Sequence, residues 1–307
     1  MVYTGLKKQP EDKRDHSFDH IAGYVDDVDW EEGFDIEEYL GGRIISKNQG
    51  SSDSCVAHSV AYYAYVLNIA EIKKITEYGL DELRVKYQKS IPELSAKSIF
   101  SQIFLNYGAY NRDGVKKLIN YGINTESEVP TKPERGLPTK TFVRDLSWKN
   151  EDLEKKASNY KGKEYRLIRT GSDMDIFAKA IRDNLGVVSG VVGSNNRTWR
   201  TEEPKPPKNG DKLWRHSMYF GKYGTDEKGK FISCKNSWGD KTGNKGWQKL
   251  REDYFRSGNV FDAWTVMDKP NGGWFWLIDR DGKPRKMPAY FHKTIKYLLT
   301  KRGFKLK

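Results

Sequence analysis

A polar loop, Asn48-Gln49-Gly50-Ser51-Ser52-Asp53-Ser54, runs into Cys55 and then into a long apolar stretch, Val56-Ala57-His58-Ser59-Val60-Ala61-Tyr62-Tyr63-Ala64-Tyr65-Val66-Leu67. Val56, Val60, Tyr63, Ala64 and Leu67 recur at intervals of three and four, which predicts a helix from Ser54 to about Ile72, buried along one face and capped by Ser54. Cys55 then stands at a helix N-terminus, where first-turn N–H groups and the helix dipole favour the thiolate, the nucleophilic form of cysteine. Six residues earlier, Gln49 offers an amide donor able to face a developing oxyanion. These are half the parts of an acyl-transfer site. A base and a group to orient it must come from elsewhere, and the chain has five histidines to supply them.

One histidine lies in Trp214-Arg215-His216-Ser217-Met218-Tyr219-Phe220-Gly221-Lys222-Tyr223-Gly224, and Phe231-Ile232-Ser233-Cys234-Lys235-Asn236-Ser237-Trp238-Gly239 follows it. Gln49 with Cys55, His216 opening a strand that ends at Gly224, and Asn236-Ser237-Trp238-Gly239 together resemble the three signature blocks of papain-like cysteine peptidases. They stand in the family's order, and Gly246-Trp247 follows as the family's Gly-aromatic pair does. The resemblance covers roughly residues 34 to 268. It implies an α+β, two-lobed fold: a helical lobe over about 50–130 and an antiparallel, barrel-like β lobe over about 163–268. An N-terminal arm, 1–33, precedes this domain and a C-terminal extension, 269–307, follows it.

The same resemblance implies a cysteine endopeptidase acting on an extended protein or peptide segment, without metal or cofactor. Cys55 would be the nucleophile, paired at rest as thiolate with a His216 imidazolium; Asn236 would orient the imidazole, and Trp238 would shield that bond from water. The backbone N–H of Cys55 and the side chain of Gln49 would hold the oxyanion. Gly108 and Ala109 fall where the family has a loop whose backbone pairs with substrate, and Arg215 and Trp238 complete the expected substrate-binding set.

Four positions depart from the family pattern. Ala109 stands for the second glycine of the substrate loop, and Val56 replaces the tryptophan that often follows the nucleophile. Asp53 occupies a usual glycine position, where its charge opposes both thiolate and oxyanion, and Arg215 precedes His216 and disfavours an imidazolium. An Asp53–Arg215 pair would offset both charges. Cys234, in mid-strand, reads as a buried inert thiol and His58, a turn beyond Cys55, as a packed residue; His16, His20 and His292 have no supporting motif.

Elsewhere the pattern predicts helices around Ile99–Phe104, from Arg112 to a closing Gly122, and at Ser172–Asn184. Residues 131–162 read as a connection with one charged helix at Glu151–Asn159. Strands are expected at Tyr165–Arg169, Gly186–Val192, His216–Tyr223, Phe231–Lys235, Gly246–Leu250 and Phe261–Val266, with a long loop protruding at Arg200–Lys212. The leader, with Asp12-Lys13-Arg14-Asp15 before Phe18, reads as an extended arm lying on the fold. The extension reads as a strand at Gly272–Ile278, a hairpin turn at Asp281-Gly282 and a helix at Ala289–Leu299.

Two cysteines in 307 residues give no disulfide framework, and Ser52 stands where secreted relatives carry a cystine partner. With no apolar run at Met1–Lys8 and no stretch of about 20 apolar residues, this fits a cytoplasmic protein of the bacterial or phage-encoded branch, or part of a virion. Of the net charge of +12, nine basic residues lie in 282–307 without an acidic one. Basicity therefore belongs to the tail, which speaks against nucleic-acid binding by the whole chain. The tail itself leaves open a solvated terminus, a membrane-surface contact through its amphipathic helix, or an anchor to an acidic partner: nucleic acid, cell-wall polymer, acidic protein or larger assembly. Two other functions stay open beside peptidase: a structural or interaction protein on a papain scaffold, such as a phage-particle component, and an amide hydrolase acting on cell-wall peptides.

Overall fold

The computed structural model describes residues 5–22, 27–77, 92–169 and 171–267, and beyond them the strands at 274–278, 284–288 and 305–306. After a short helix α1 (Asp19–Ala22) come β1 (Phe34–Asp35) and α2 (Ile36–Leu40), then the long helix α3 (Cys55–Glu77). Helices α4 (Ala96–Ile103), α5 (Asn111–Asn120), α6 (Lys140–Arg144) and α7 (Glu151–Ala157) follow. The rest is β2 (Glu164–Ile168), α8 (Met174–Asn184), β3 (Val187–Ser194), β4 (Leu213–Asp226), β5 (Gly229–Lys235), β6 (Trp247–Arg251), α9 (Glu252–Arg256) and β7 (Val260–Met267).

The strands form an antiparallel sheet in the order β2-β7-β3-β4-β5-β6, with β1 added against β4. The expected barrel is open, its edges β2 and β6 belonging to opposite ends of the sheet. Strand β4 is its spine: it pairs with β3 from Val187↔Phe220 to Ser194↔Leu213 and with β5 from Tyr219↔Lys235 to Asp226↔Gly229. It therefore carries His216 at a fixed register, opposite Val191. The expected tail hairpin is present as β8 (Trp274–Ile278) paired with β9 (Pro284–Pro288), with β10 (Lys305–Leu306) on the other side of β8. The expected helix at 289–299 lies outside the described residues.

Helix α3 is not buried along one face. Every residue from Cys55 to Ala64 is buried, because α4 and α5 pack on one side of it and β4 on the other. A helix apolar all round is a core helix, and here it joins the two halves of the molecule. Tyr63 rivets the junction: its hydroxyl donates to the Asn184 carbonyl (2.7 Å) and accepts from the Val266 N–H (3.0 Å). Residues 36–40 form α2, capped by Asp35 accepting from the Glu37 N–H (2.8 Å), and the expected 131–162 connection contains α6 as a second helix, capped by Thr139.

Candidate active site

The polar loop and α3 place Cys55 at the first helical residue, fully buried. The helix it opens packs against β4, the strand of His216, and the backbone N–H groups of Ser217 and Val56 favour its thiolate. Buried polar contacts hold the two elements together. Ser217 Oγ donates to Asn111 Oδ1 (2.6 Å) and lies 3.2 Å from Ser59 Oγ, which donates to the Cys55 carbonyl (2.9 Å).

His216 is fully buried, and its Nε2 lies 3.0 Å from Asn236 Oδ1. The half-buried Trp238 covers this pair, its ring centroid 4.8 Å from the imidazole, and Trp214 and Trp199 extend the aromatic wall at 5.5 Å and 4.9 Å. Asn236 is fixed through its backbone. Its N–H donates to the Gly246 carbonyl (2.8 Å), and its own carbonyl accepts from Ser46 Oγ (3.0 Å) and the Tyr62 hydroxyl (3.2 Å). Gly246 has φ +87°, and a β-carbon there would meet Ser46 Oγ at 2.3 Å, which explains the glycine before Trp247.

Gln49 is buried with its amide fixed: Oε1 accepts from Ser237 Oγ (2.7 Å) and Nε2 donates to the Ser52 carbonyl (2.9 Å). The Gln49 N–H also donates to the Ser237 carbonyl (2.8 Å), binding the two motif loops to one another. Gln49 is thus tied to the loop that follows Asn236, Asn236 to His216, and the strand of His216 to the helix that Cys55 opens.

Residues 32–262 match the sequence model of the papain family of cysteine proteases. The chain belongs to that family. Chymopapain from Carica papaya is 23% identical over 257 residues, which is 84% of this chain and 62% of that protein, so the match spans less than two thirds of the relative. Among solved structures, xylellain, a cysteine protease from Xylella fastidiosa, superposes with TM-score 0.63 at 20% identity, covering 85% of this chain and 94% of that one. Procathepsin B S9 from Trypanosoma congolense gives 0.61 at 12% (85% and 84% covered), and bromelain from Ananas comosus in complex with the E64 inhibitor gives 0.51 at 18% (78% and 99%). At these identities the superpositions establish the fold.

The electrostatics of this papain-family site differ from the sequence expectation in two ways. Burial pushes the Cys55 thiol up to about 12, outweighing the N–H groups of Ser217 and Val56 that favour a thiolate, and the charge of Asp53 adds to the rise. Desolvation of the buried sulfur thus opposes the thiolate that the helix N-terminus favours. Asp53, moreover, is not paired with Arg215. It is buried between Lys140 Nζ (3.1 Å) and Arg144 Nη2 (3.4 Å), both on α6, whereas strand alternation directs Arg215 to the face of β4 opposite His216.

Ala109 holds an extended segment, and it is the protein's own. The Ala109 N–H donates to the Gly5 carbonyl (2.8 Å) and the Lys7 N–H to the Ala109 carbonyl (3.0 Å), making a parallel bridge centred on Leu6. Leu6 is buried at 4% exposure and lies so close over Gly190 that a β-carbon there would meet its Cδ2 at 2.6 Å. Gly108 permits the approach: at φ +72°, any β-carbon would stand 1.9 Å from the Gly5 carbonyl oxygen. Further along the arm, Asp12 and Asp15 pair with Arg112 (3.5 and 3.1 Å), and the Phe18 N–H donates to the Leu167 carbonyl (2.8 Å).

His58 and Cys234 are packed residues, as their sequence positions suggest. Burial lowers His58 to about 4, leaving it neutral with Nδ1 3.2 Å from Ser54 Oγ, so Ser54 turns to His58 and Ser52. Cys234 is fully buried, with Sγ 3.5 Å from the Gln248 carbonyl, and burial raises its thiol strongly. One participant was absent from the sequence reading: Gln248, whose Oε1 accepts from Asn236 Nδ2 at 2.8 Å. Its only signal in sequence is a polar residue sharing a strand face with Leu250.

Proposed function

We propose that the chain hydrolyses peptide bonds of an extended protein or peptide substrate, with Cys55 as nucleophile, His216 as general base and acid, and Asn236 as the group that orients His216. The observation that carries this reading is the buried His216 Nε2–Asn236 Oδ1 contact (3.0 Å), made from the strand that packs against the helix beginning at Cys55. With Nε2–H donated to Asn236, Nδ1 is the basic nitrogen. As substrate enters, the Cys55 proton passes to His216 Nδ1 and sulfur attacks the scissile carbonyl carbon. The Cys55 N–H and the Gln49 amide, which has a second N–H beyond the one given to Ser52, stabilise the oxyanion, a contribution of about 3–4 kcal/mol per donor. Collapse breaks the C–N bond, the imidazolium protonates the departing amine, and an S-acyl intermediate remains. His216 then takes a proton from water, the hydroxide adds to the acyl carbon, and the C–S bond breaks to release the acid and restore the thiol.

The test is turnover of casein or a peptide library, present in the wild type and absent in Cys55→Ala, with an epoxide probe labelling Cys55 much faster than Cys234. Turnover that survives Cys55→Ala, or equally slow labelling of both cysteines, would overturn the reading.

A further inference from the structure

The structure assigns to Gln248 the role of positioning residue for His216, acting through Asn236; this rests on the proposed roles of those two residues. Gln248 is the second residue of β6, fully buried, in register with Cys234 on β5. A buried primary amide at this apolar position must have all its polar atoms satisfied. Gln248 Nε2 donates both its protons to main-chain carbonyls, that of Trp199 at 2.9 Å and that of Thr201 at 3.0 Å. A carbonyl oxygen only accepts, so this fixes which end of the Gln248 amide is nitrogen. Oε1 must then face the other way, where it accepts from Asn236 Nδ2 at 2.8 Å. That contact fixes the Asn236 amide in turn, and its Oδ1 is left to face His216 Nε2 at 3.0 Å. An oxygen there requires a proton on Nε2, which leaves the imidazole lone pair on Nδ1.

Polarity is thus handed from two main-chain carbonyls through two amides to the tautomer of one imidazole. Without the Gln248 amide, Asn236 could rotate by half a turn about its terminal bond and present Nδ2 to Nε2. That arrangement is compatible only with an Nδ1–H imidazole, which cannot accept the thiol proton. The backbone bonds of Asn236 to Gly246, Ser46 and Tyr62 hold its main chain and do not discriminate between the two amide orientations. Gln248 alone, among the described contacts of Asn236 Nδ2, does so.

Gln248→Met keeps length and approximate volume and removes the amide. Of the three hydrogen bonds it removes, the one from Asn236 bears on His216, and its loss should lower kcat roughly tenfold with KM within about twofold. In an Asn236→Ala background the same substitution should cause no further loss, since Gln248 acts only through Asn236. An equal loss in both backgrounds, or no loss in either, would overturn the assignment. Nitrogen-15 NMR of His216 supplies a readout independent of turnover and of any folding defect in the variant. Neutral His216 in the wild type should carry its proton on Nε2, and Gln248→Met should populate the Nδ1–H form. A wild-type proton on Nδ1 overturns the assignment outright, as does an unchanged tautomer in a folded Gln248→Met. Were the wild type to cleave no peptide, the peptidase reading would fail while the tautomer still decided the role of Gln248.

Discussion

Replacing Leu6 by Ala should raise the peptidase activity proposed for this protein. The segment Gly5–Lys7 is held on Ala109 by two backbone hydrogen bonds and by the burial of Leu6. Burying a leucine side chain contributes about 1.5–3 kcal/mol, and each backbone bond about 0.5–1.5 kcal/mol net. Ordering three residues opposes this by about 1–2 kcal/mol each. The sums nearly cancel, so the docked and undocked arms lie within a few kcal/mol of each other, and most of the burial lost in Leu6→Ala passes directly into that balance. A peptide that needs the Ala109 backbone sees an apparent affinity reduced by the fraction of molecules whose arm is open. Leu6→Ala should therefore raise kcat/KM on a fluorogenic peptide up to the inverse of the wild-type open fraction: about twofold where docked and open arms are equally populated, and roughly tenfold where docking is favoured by about 1.4 kcal/mol. The gain should lie in KM, with kcat unchanged, because saturating substrate displaces the arm in either protein. Hydrogen exchange at the Ala109 amide, measured in parallel, should accelerate by a similar factor. An unchanged or reduced kcat/KM in a folded Leu6→Ala would refute the argument, because the arm would then lie outside the path of substrate.

Three further expectations follow from the site and its surroundings. Asp53→Asn should shift the pH midpoint of Cys55 alkylation downward, because the Asp53 charge raises the thiol, and Lys140→Met with Arg144→Met should shift it upward by leaving that charge uncompensated; shifts of the same sign would refute the pairing. Gly246→Ala should lower stability by at least about 1 kcal/mol in urea denaturation and reduce turnover, since it strains a φ of +87° beside Asn236; a neutral result would refute the fit. The carboxyl of Asp226 is held far below its usual range, first by Arg251, so its contribution is present above its unfolded value of about 3.9 and is lost as pH falls below that. Asp226→Asn should accordingly lower the thermal midpoint at pH 6 and lose that deficit under strong acid; a deficit independent of pH would point to packing instead.

Residues whose meaning is local were legible in sequence. Cys55 at a helix start, His216 in an alternating strand and Asn236-Ser237-Trp238-Gly239 each carry their signal within a few neighbours, and the strands of the sheet could be placed from period and turn residues. What escaped was set by distant partners. Asp53 finds its cations on α6, in a stretch whose Pro- and Lys-rich composition reads as a connection. The state of the Cys55 thiol depends on how completely the fold excludes water, a property of packing that no motif encodes. The docking of Leu6 has no periodicity to reveal it, being a single side chain over a glycine 184 residues away, and the bulky Tyr63 and Tyr62 of α3 concealed that both sides of the helix are covered.

That last feature bears on how the molecule folds. A helix buried by α4 and α5 on one side and by β4 on the other cannot complete its burial within either lobe, and the Tyr63 hydroxyl has its partners at Asn184 and Val266, both in the second lobe. Neither lobe is then a folding unit in its own right: residues 50–130 alone would present a bare apolar flank of α3 to water, and the sheet alone would lack the helix that covers β4. The seam between α3 and β4 should melt in the same transition as the rest of the domain, so loss of the proposed site and loss of the fold will be one cooperative event and not two.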